Sequence, residues 1–135
     1  MKIRVFVIDD HPLMRRSIVE TIEREADLMV CGQAEDAEEA LAAIVAARPD
    51  LVLTDIQLRS SSGLDLIAAL RVRMGALPVV ATTMFDVDRA ERLARVAGAS
   101  AFVAKQDGPI KLVEVIRDAL KHAKAADESG ETEVS

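Results

Sequence analysis

The sequence predicts an α/β protein in which a parallel five-stranded sheet is covered by helices on both faces. Short runs rich in β-branched residues alternate five times with longer segments of helical periodicity. These runs are mostly apolar throughout, which is typical of strands buried on both faces. Half of the 135 residues are hydrophobic, which is enough for the core of one domain.

The first half of the chain contains two strand–helix units of this kind. Residues 3–8 form an apolar run, and Pro12 suits the first turn of the helix that follows. A second strand covers about residues 29–33. Asp36 and a glutamate three residues later form a capping-box pattern, so we expect the second helix to begin there and to end before Pro49.

Three further units follow along the chain. A strand over residues 51–54 ends at Asp55, and a serine-containing loop then leads into a helix over about residues 64–73. Asp86 is predicted as the N-cap of the fourth helix, and Gly98 as its C-terminal cap. The remaining segments are two strands over residues 78–82 and 101–104 and a last helix that begins near Pro109.

The net charge of −6 is distributed unevenly. Residues 127–135 contain four acids and no bases, and the rest of the chain has 19 acidic against 17 basic residues with no block of Lys or Arg. This argues against direct binding of nucleic acid by the folded part. We expect one folded domain over residues 1–125 and an acidic tail or truncated linker over residues 126–135.

The expected location is the cytoplasm, without association with a membrane. No apolar run approaches the length that spans a bilayer, and the N-terminus leads directly into a strand rather than into a signal peptide. Cys31 is the single cysteine, which fits a reducing compartment. Its place in a strand favours simple core packing.

Polar side chains stand at the predicted ends of four strands. Asp9 and Asp10 follow the first strand, Asp55 the third, Thr83 the fourth and Lys105 the fifth. In a doubly wound sheet, ligands bind beyond the carboxyl ends of the strands, near the point where strand order reverses. We therefore expect three carboxylates, one hydroxyl and one ammonium to face a common crevice.

Three close carboxylates require a compensating positive charge to stay ionised together. Mg²⁺ prefers oxygen ligands and retains several waters, so Asp9, Asp10 and Asp55 suit it. The backbone carbonyl of Gln57 lies within reach of the same loop and is predicted as a further ligand.

Asp55 is also a candidate nucleophile, because carboxylates can form acyl phosphates. A phosphoryl group carries charge on its equatorial oxygens, which Mg²⁺ and the ammonium of Lys105 would neutralise. Thr83 can donate a hydrogen bond to one of these oxygens. These residue types therefore predict phosphoryl transfer to Asp55.

Each signal has a plainer interpretation when taken alone. An Asp-Asp pair after a strand is often a turn or a helix cap, a Lys there is usually a surface residue, and a Thr is a common strand former. Their joint occurrence at four strand ends favours the site.

His11 follows two acids, but we favour a loop or capping role for it over metal binding, because His122 lies far away on the last helix. No P-loop pattern is present.

Over about residues 3–124 the chain resembles the receiver domain of bacterial two-component response regulators. The resemblance implies a CheY-like, flavodoxin-like fold: a doubly wound sheet of five parallel strands in the order 2-1-3-4-5 with five helices. The Asp-Asp-His-Pro-Leu start and the Thr-Met-Phe-Asp segment resemble the NarL/FixJ (LuxR-type) branch. The motifs are Val7-Ile8-Asp9-Asp10-His11-Pro12, Leu53-Thr54-Asp55, Gly63-Leu64, Thr82-Thr83-Met84-Phe85-Asp86, Gly98-Ala99 and Phe102-Val103-Ala104-Lys105.

This resemblance implies a phosphorylation switch. A sensor histidine kinase would donate a phosphoryl group to Asp55, after which Thr83 moves toward it and Phe102 changes its rotamer. The face formed by the fourth helix, fifth strand and last helix would then repack, often to favour a homodimer. DNA would be bound only through a C-terminal transcription-regulator domain that is absent from this chain.

The chain departs from the family pattern at three positions. Arg59 stands where many members have a proline, which puts the geometry of the neighbouring Mg²⁺ carbonyl in doubt. Gln106 replaces a frequent proline after the lysine, and Phe102 lacks the hydroxyl of the more frequent tyrosine. Gln57 and Phe85 occupy positions that tend to tune the lifetime of the phosphoryl group.

Two other functions remain open from the sequence. A stand-alone receiver would act by docking to a protein partner instead of through an attached output domain. An aspartyl-phosphate enzyme, such as a phosphohydrolase, normally needs further acid–base residues and a cap, for which 135 residues leave little room. We therefore expect no enzymatic activity of its own.

Overall fold

A computed structural model describes residues 1–58 and 60–134 of the chain, and the side chains of residues 1–58 and 60–125. The departure predicted at Arg59 lies outside these residues. The strands are β1 (Ile3–Ile8), β2 (Leu28–Ala34), β3 (Leu51–Asp55), β4 (Val79–Thr83) and β5 (Ala101–Ala104). The helices are α1 (Pro12–Glu23), α2 (Ala37–Ala47), α3 (Gly63–Arg73), α4 (Val87–Ala97) and α5 (Gly108–Val134), with a single 3₁₀ turn (Lys105–Asp107) before α5.

The strands form one parallel sheet in the order β2-β1-β3-β4-β5. The predicted doubly wound architecture and its strand order are therefore confirmed. From β1 the chain proceeds first to one side, to β2, and then to the other, to β3. The carboxyl ends of β1 and β3 consequently flank the point where strand order reverses, which is where such sheets bind ligands.

Apolar side chains pack on both faces of the sheet, as expected for buried parallel strands. Along β1, Phe6 and Ile8 belong to a core cluster that includes residues of α2, α3 and α4. Val5 and Val7 point to the opposite face and belong to a second cluster with residues of α1 and α5. The two layers hold the strand ends rigidly, so the side chains that follow β1 and β3 have defined positions.

The structure confirms two of the three predicted helix caps. Asp36 accepts a hydrogen bond from the backbone N–H of Glu39 at 2.9 Å, and Gly98 ends α4 with a φ of 112°. Asp86 occupies the N-cap position of α4, but its side chain makes no capping hydrogen bond. The reason is its left-handed backbone, with a φ of 49°, whereas a capping side chain normally requires an extended residue.

The last helix is longer than its composition suggests. Residues 126–134, predicted as an acidic tail or linker, continue α5 as far as Val134. Alanine and lysine are abundant just before this segment, and both favour helix. Polar composition predicts that a segment lacks core contacts, but it does not determine the backbone conformation. The domain boundary near residue 125 stays a prediction.

Across the described residues, no helix combines the length and the apolar character needed to cross a bilayer.

Gly63 tests how tightly the chain packs behind β3. A Cβ atom at this position would lie 2.0 Å from the backbone oxygen of Asp55, so the start of α3 has no room for a side chain. We expect Gly63→Ala to lower the free energy of unfolding by about 1–3 kcal/mol, although alanine favours helix. Urea unfolding would measure the change. Gly75→Ala is the control, because its Cβ would lie 3.3 Å from the Arg71 oxygen, and equal stability losses in both variants would contradict the account.

Candidate functional site

Three carboxylates meet at the carboxyl ends of β1 and β3. The register pairs Ile8 with Thr54, which places the residues that follow, Asp9 and Asp55, side by side. Both carboxylates are buried, and Asp10 is 9% exposed. The crevice that the sequence predicted at the switch point therefore contains all three predicted acids.

Lys105 reaches the same cluster from the end of β5. Its Nζ atom lies 2.5 Å from Asp9 Oδ2 and 2.7 Å from Asp55 Oδ2, and its side chain is only 2% exposed. One ammonium thus donates hydrogen bonds to carboxylates that come from two different strands. Because the ammonium bonds two of the three carboxylates and carries a single charge, the cluster retains uncompensated negative charge.

Burial and the ion pairs have opposite effects on the pKa values of both Asp55 and Lys105. Burial raises the pKa of the Asp55 carboxyl, and hydrogen bonds from Lys105 and from the Gln57 backbone N–H only partly offset this effect. For Lys105, burial favours a lower pKa, but the carboxylates of Asp55 and Asp9 outweigh burial and raise its pKa. The ammonium is therefore charged at neutral pH, and its charge favours the ionised form of Asp55.

The donor set fits a divalent cation. Donor atoms of Asp9, Asp10, His11 and Asp55 all lie within 4.8 Å of one another. Within the described part of the chain, Asp10 Oδ1 is buried without a hydrogen-bond partner, which is costly unless a cation or water binds it. Asp10 and Asp55 border a cavity of about 260 Å³, which is also lined by His11, Gln57, Leu58, Met84 and Phe85.

The loop after β3 places Gln57 at the edge of this cavity. The Gln57 backbone N–H donates to Asp55 Oδ1 at 2.8 Å. Gln57 also forms an isolated antiparallel bridge with Ser62, and the Gly63 N–H donates to the Ile56 oxygen at 3.1 Å. These bonds close the loop on itself and orient the Asp55 carboxylate. The predicted role of the Gln57 carbonyl as a ligand stays a prediction.

Thr83 and Phe102 lie outside the charged cluster. Thr83 is fully buried at the end of β4, where its hydroxyl donates to the Phe85 oxygen at 3.0 Å and accepts from the Phe85 N–H at 3.3 Å. Both hydrogen bonds of this hydroxyl thus go to the turn before α4. Phe102, on β5, is partly buried and packs against the core beneath α2, α3 and α4. The predicted switch roles of both residues remain predictions.

Two residues near the acids have roles that the sequence did not predict. Arg15 on α1 donates from Nη1 to the Asp9 backbone oxygen at 2.6 Å and so ties the helix to the end of β1. An arginine on a helix carries no pattern that would reveal this contact. His11 occupies the N-cap position of α1, but its side chain makes no capping hydrogen bond; its Nδ1 instead lies 3.1 Å from Asp9 Oδ1 and 3.0 Å from Asp10 Oδ1.

The fold and this site together define a doubly wound α/β domain with an acidic cavity and a buried lysine at the switch point. A family model described as the response regulator receiver domain matches residues 5–117. The chain belongs to the receiver-domain family of two-component response regulators.

Named relatives indicate the branch of this family. The DNA-binding transcriptional activator DevR/DosR of Mycobacterium tuberculosis is 34% identical over 116 residues, which cover 86% of this chain and 54% of that protein. A crystal structure of a LuxR-family two-component response regulator from Aurantimonas sp. SI85-9A1 superposes with a TM-score of 0.86 at 30% identity, covering 100% of both chains. The chain is thus similar to NarL- and LuxR-type receivers.

Similar receivers also occur attached to enzymes. The protein-glutamate methylesterase/protein-glutamine glutaminase of Geobacillus kaustophilus is 37% identical over 112 residues, which cover 82% of this chain but 32% of that protein. The present chain spans about half the length of the curated regulators that it matches. The likeness therefore concerns the receiver, and not the other parts of these longer proteins.

The buried ion pairs of Lys105 predict a large effect on stability. Lys105→Met would leave the Asp9 and Asp55 carboxylates buried without their shared counter-charge, so we expect the free energy of unfolding in EDTA to fall by about 3–5 kcal/mol. Urea unfolding at neutral pH would measure it. Lys111→Met is the control: its ammonium lies 3.4 Å from Glu114 on the surface, and its loss should change stability by less than about 0.5 kcal/mol. A Lys105→Met variant as stable as this control would refute the bridging role.

Proposed function

We propose that this chain is a phospho-accepting switch, in which Asp55 receives a phosphoryl group from the phosphohistidine of a sensor histidine kinase. One observation carries the proposal: Asp55 is buried at a cavity, held by the Lys105 ammonium, and placed beside the unpartnered oxygen of Asp10. A structural ion pair would need neither the cavity nor the additional acid.

The reaction requires positioning and charge neutralisation more than acid–base groups. A carboxylate oxygen of Asp55 forms the new bond to phosphorus, while the bond from phosphorus to the imidazole nitrogen of the donor breaks and the imidazole departs. The Gln57 N–H and Lys105 orient the Asp55 carboxylate for attack. The ammonium of Lys105 then neutralises charge on the phosphoryl oxygens.

The remaining negative charge of the cluster indicates where Mg²⁺ would bind. Asp9, Asp10, Asp55 and the Gln57 carbonyl supply the oxygen donors that this ion prefers. When bound, Mg²⁺ supplies positive charge for the phosphoryl oxygens. The partnerless Asp10 oxygen supports this assignment, because it is the atom that most requires a positively charged partner.

The switch would act through the turn before α4. Thr83 holds both the N–H and the carbonyl of Phe85, so movement of its hydroxyl toward a phosphoryl oxygen would release these bonds. The turn also contains Asp86 in a left-handed conformation, directly at the start of α4. Repacking of Phe102 on β5 would accompany this change. A local charge change would thus shift α4 between two positions.

The face formed by α4, β5 and α5 is the proposed output surface. Exposed apolar side chains stand on its helices: Val96 is 88% exposed on α4 and Ile110 is 84% exposed on α5. Burying such side chains against a second copy would favour a homodimer.

The proposed whole protein is a transcription regulator of the cytoplasm. The relatives named as DNA-binding or transcriptional proteins are about twice as long as the matched region, which supports a C-terminal DNA-binding domain joined through a linker over residues 126–135. The receiver itself would then contact a kinase and a second copy, but neither DNA nor a membrane. It would have no enzymatic turnover of its own.

A stand-alone receiver that docks to a protein partner is the alternative, and a coding sequence continuing beyond Ser135 into a basic helix-turn-helix would decide against it.

Phosphorylation of Asp55 can be tested with a small phosphodonor. Acetyl phosphate and Mg²⁺ should add one phosphoryl group to the wild-type chain, and neither Asp55→Asn nor wild type in EDTA should gain it. Intact-mass spectrometry would detect the increment. Asp65→Asn, which removes an exposed acid at the start of α3, should label normally. Stoichiometric labelling of Asp55→Asn would show that another residue is the acceptor.

Substitution of Thr83 should separate the phosphorylation of Asp55 from the dimer formation that follows it. We expect Thr83→Ala to be labelled on Asp55 but to lose the phosphorylation-dependent gain in dimer, because no hydroxyl couples the phosphoryl group to the Phe85 turn. Thr83→Ser keeps the hydroxyl and should keep the gain. Light scattering during gel filtration, with and without acetyl phosphate, measures the dimer. An undiminished gain in Thr83→Ala would rule out this coupling.

A further inference from the structure

His11 belongs to the acidic cavity as well as to the helix that it begins. Its ring is 57% exposed, yet Nδ1 points to the acids and lies 3.1 Å from Asp9 Oδ1 and 3.0 Å from Asp10 Oδ1. A ring with this exposure could instead direct both nitrogens to water. Its position places a nitrogen donor among the carboxylate oxygens.

The backbone holds this ring where it is. The His11 N–H donates to Asp9 Oδ1 at 2.9 Å, and the His11 carbonyl accepts from the Arg15 N–H at 2.8 Å in the first turn of α1. Pro12 follows directly and restricts the backbone of His11 to extended conformations, as its ψ of 105° shows. These contacts fix the backbone from which the imidazole extends to the cavity.

Asp10 provides an independent indication that a cation binds beside this ring. Its Oδ1 atom lies 3.0 Å from His11 Nδ1, but the angles of this contact do not make it a hydrogen bond. The oxygen therefore has no hydrogen-bond partner. Nδ1 itself makes a hydrogen bond with Asp9 Oδ1, so of the two atoms only the Asp10 oxygen lacks a partner, but the two are close enough to bind one metal ion together. The donor atoms of Asp9, Asp10, His11 and Asp55 span no more than 4.8 Å, which suits one ion.

We propose that His11 Nδ1 is a ligand of the ion in this cavity, so that the cavity binds divalent transition-metal ions, Mn²⁺ among them, more tightly than Mg²⁺. This inference rests on the proposed cation site. Mg²⁺ gains little from a nitrogen ligand, whereas imidazole suits the divalent transition metals. To bind the ion, Nδ1 gives up its hydrogen bond to Asp9 Oδ1, and the neutral ring carries its proton on Nε2 instead, which requires no net gain or loss of protons.

Mn²⁺ is the probe for this proposal, applied to the full chain. Titration followed by the electron paramagnetic resonance signal of free Mn²⁺ gives its affinity, and competition gives the affinity for Mg²⁺. Electron spin-echo envelope modulation reports directly whether a nitrogen binds the ion. We expect nitrogen modulation in the wild type, its loss in His11→Gln, and an affinity for Mn²⁺ reduced at least about tenfold in that variant, with the affinity for Mg²⁺ unchanged.

Two control variants keep the outcomes distinct. His122→Gln removes the other histidine, which is exposed on α5, and should bind Mn²⁺ with the same modulation as the wild type. Asp10→Asn should weaken both ions. Bound Mn²⁺ without nitrogen modulation, or equal affinities in wild type and His11→Gln, would overturn the role of His11 and leave the proposed cation site intact. No binding of either ion to the wild type would overturn both.

Discussion

The structure depends on one charge arrangement: a buried ammonium shared by carboxylates from the ends of two adjacent strands. Lys105 bonds Asp9 and Asp55 at once, and no other lysine or arginine of the described residues bonds either carboxylate. The same arrangement is incomplete, because Asp10 adds a carboxylate that the ammonium does not reach within hydrogen-bonding distance. The same charge cluster therefore contributes to the stability of the fold and favours the binding of a cation.

The surrounding backbone converts this charge cluster into a defined site. Arg15 holds the Asp9 carbonyl, and the closed loop after β3 holds the Asp55 carboxylate through the Gln57 N–H. Thr83, in contrast, bonds only the turn that precedes α4 among its side-chain contacts in the described region. The acids are thus held in place by several contacts. The proposed relay to α4, in contrast, consists of the two hydrogen bonds between the Thr83 hydroxyl and the Phe85 backbone. These two bonds would break if the hydroxyl bonded a phosphoryl oxygen instead.

The fold was predictable because its signals are local and repeated. Apolar runs separated by helical segments indicated the doubly wound sheet, and the position of Asp9, Asp10, Asp55 and Lys105 at strand ends indicated that they would meet. Contacts that depend on side-chain direction were not predictable. The bond from Arg15 to a carbonyl, the approach of His11 Nδ1 to Asp10 and the left-handed turn at Asp86 leave no periodic pattern in the sequence.

The central claim is that this cluster makes Asp55 the phosphoryl acceptor, and chemical trapping tests it most directly. Borohydride reduces an acyl phosphate of aspartate to homoserine, so the chain would be incubated with acetyl phosphate and Mg²⁺, reduced and analysed by peptide mass spectrometry. The account predicts homoserine at position 55 alone. Homoserine at Asp9 or Asp10, or none at any position, would contradict it.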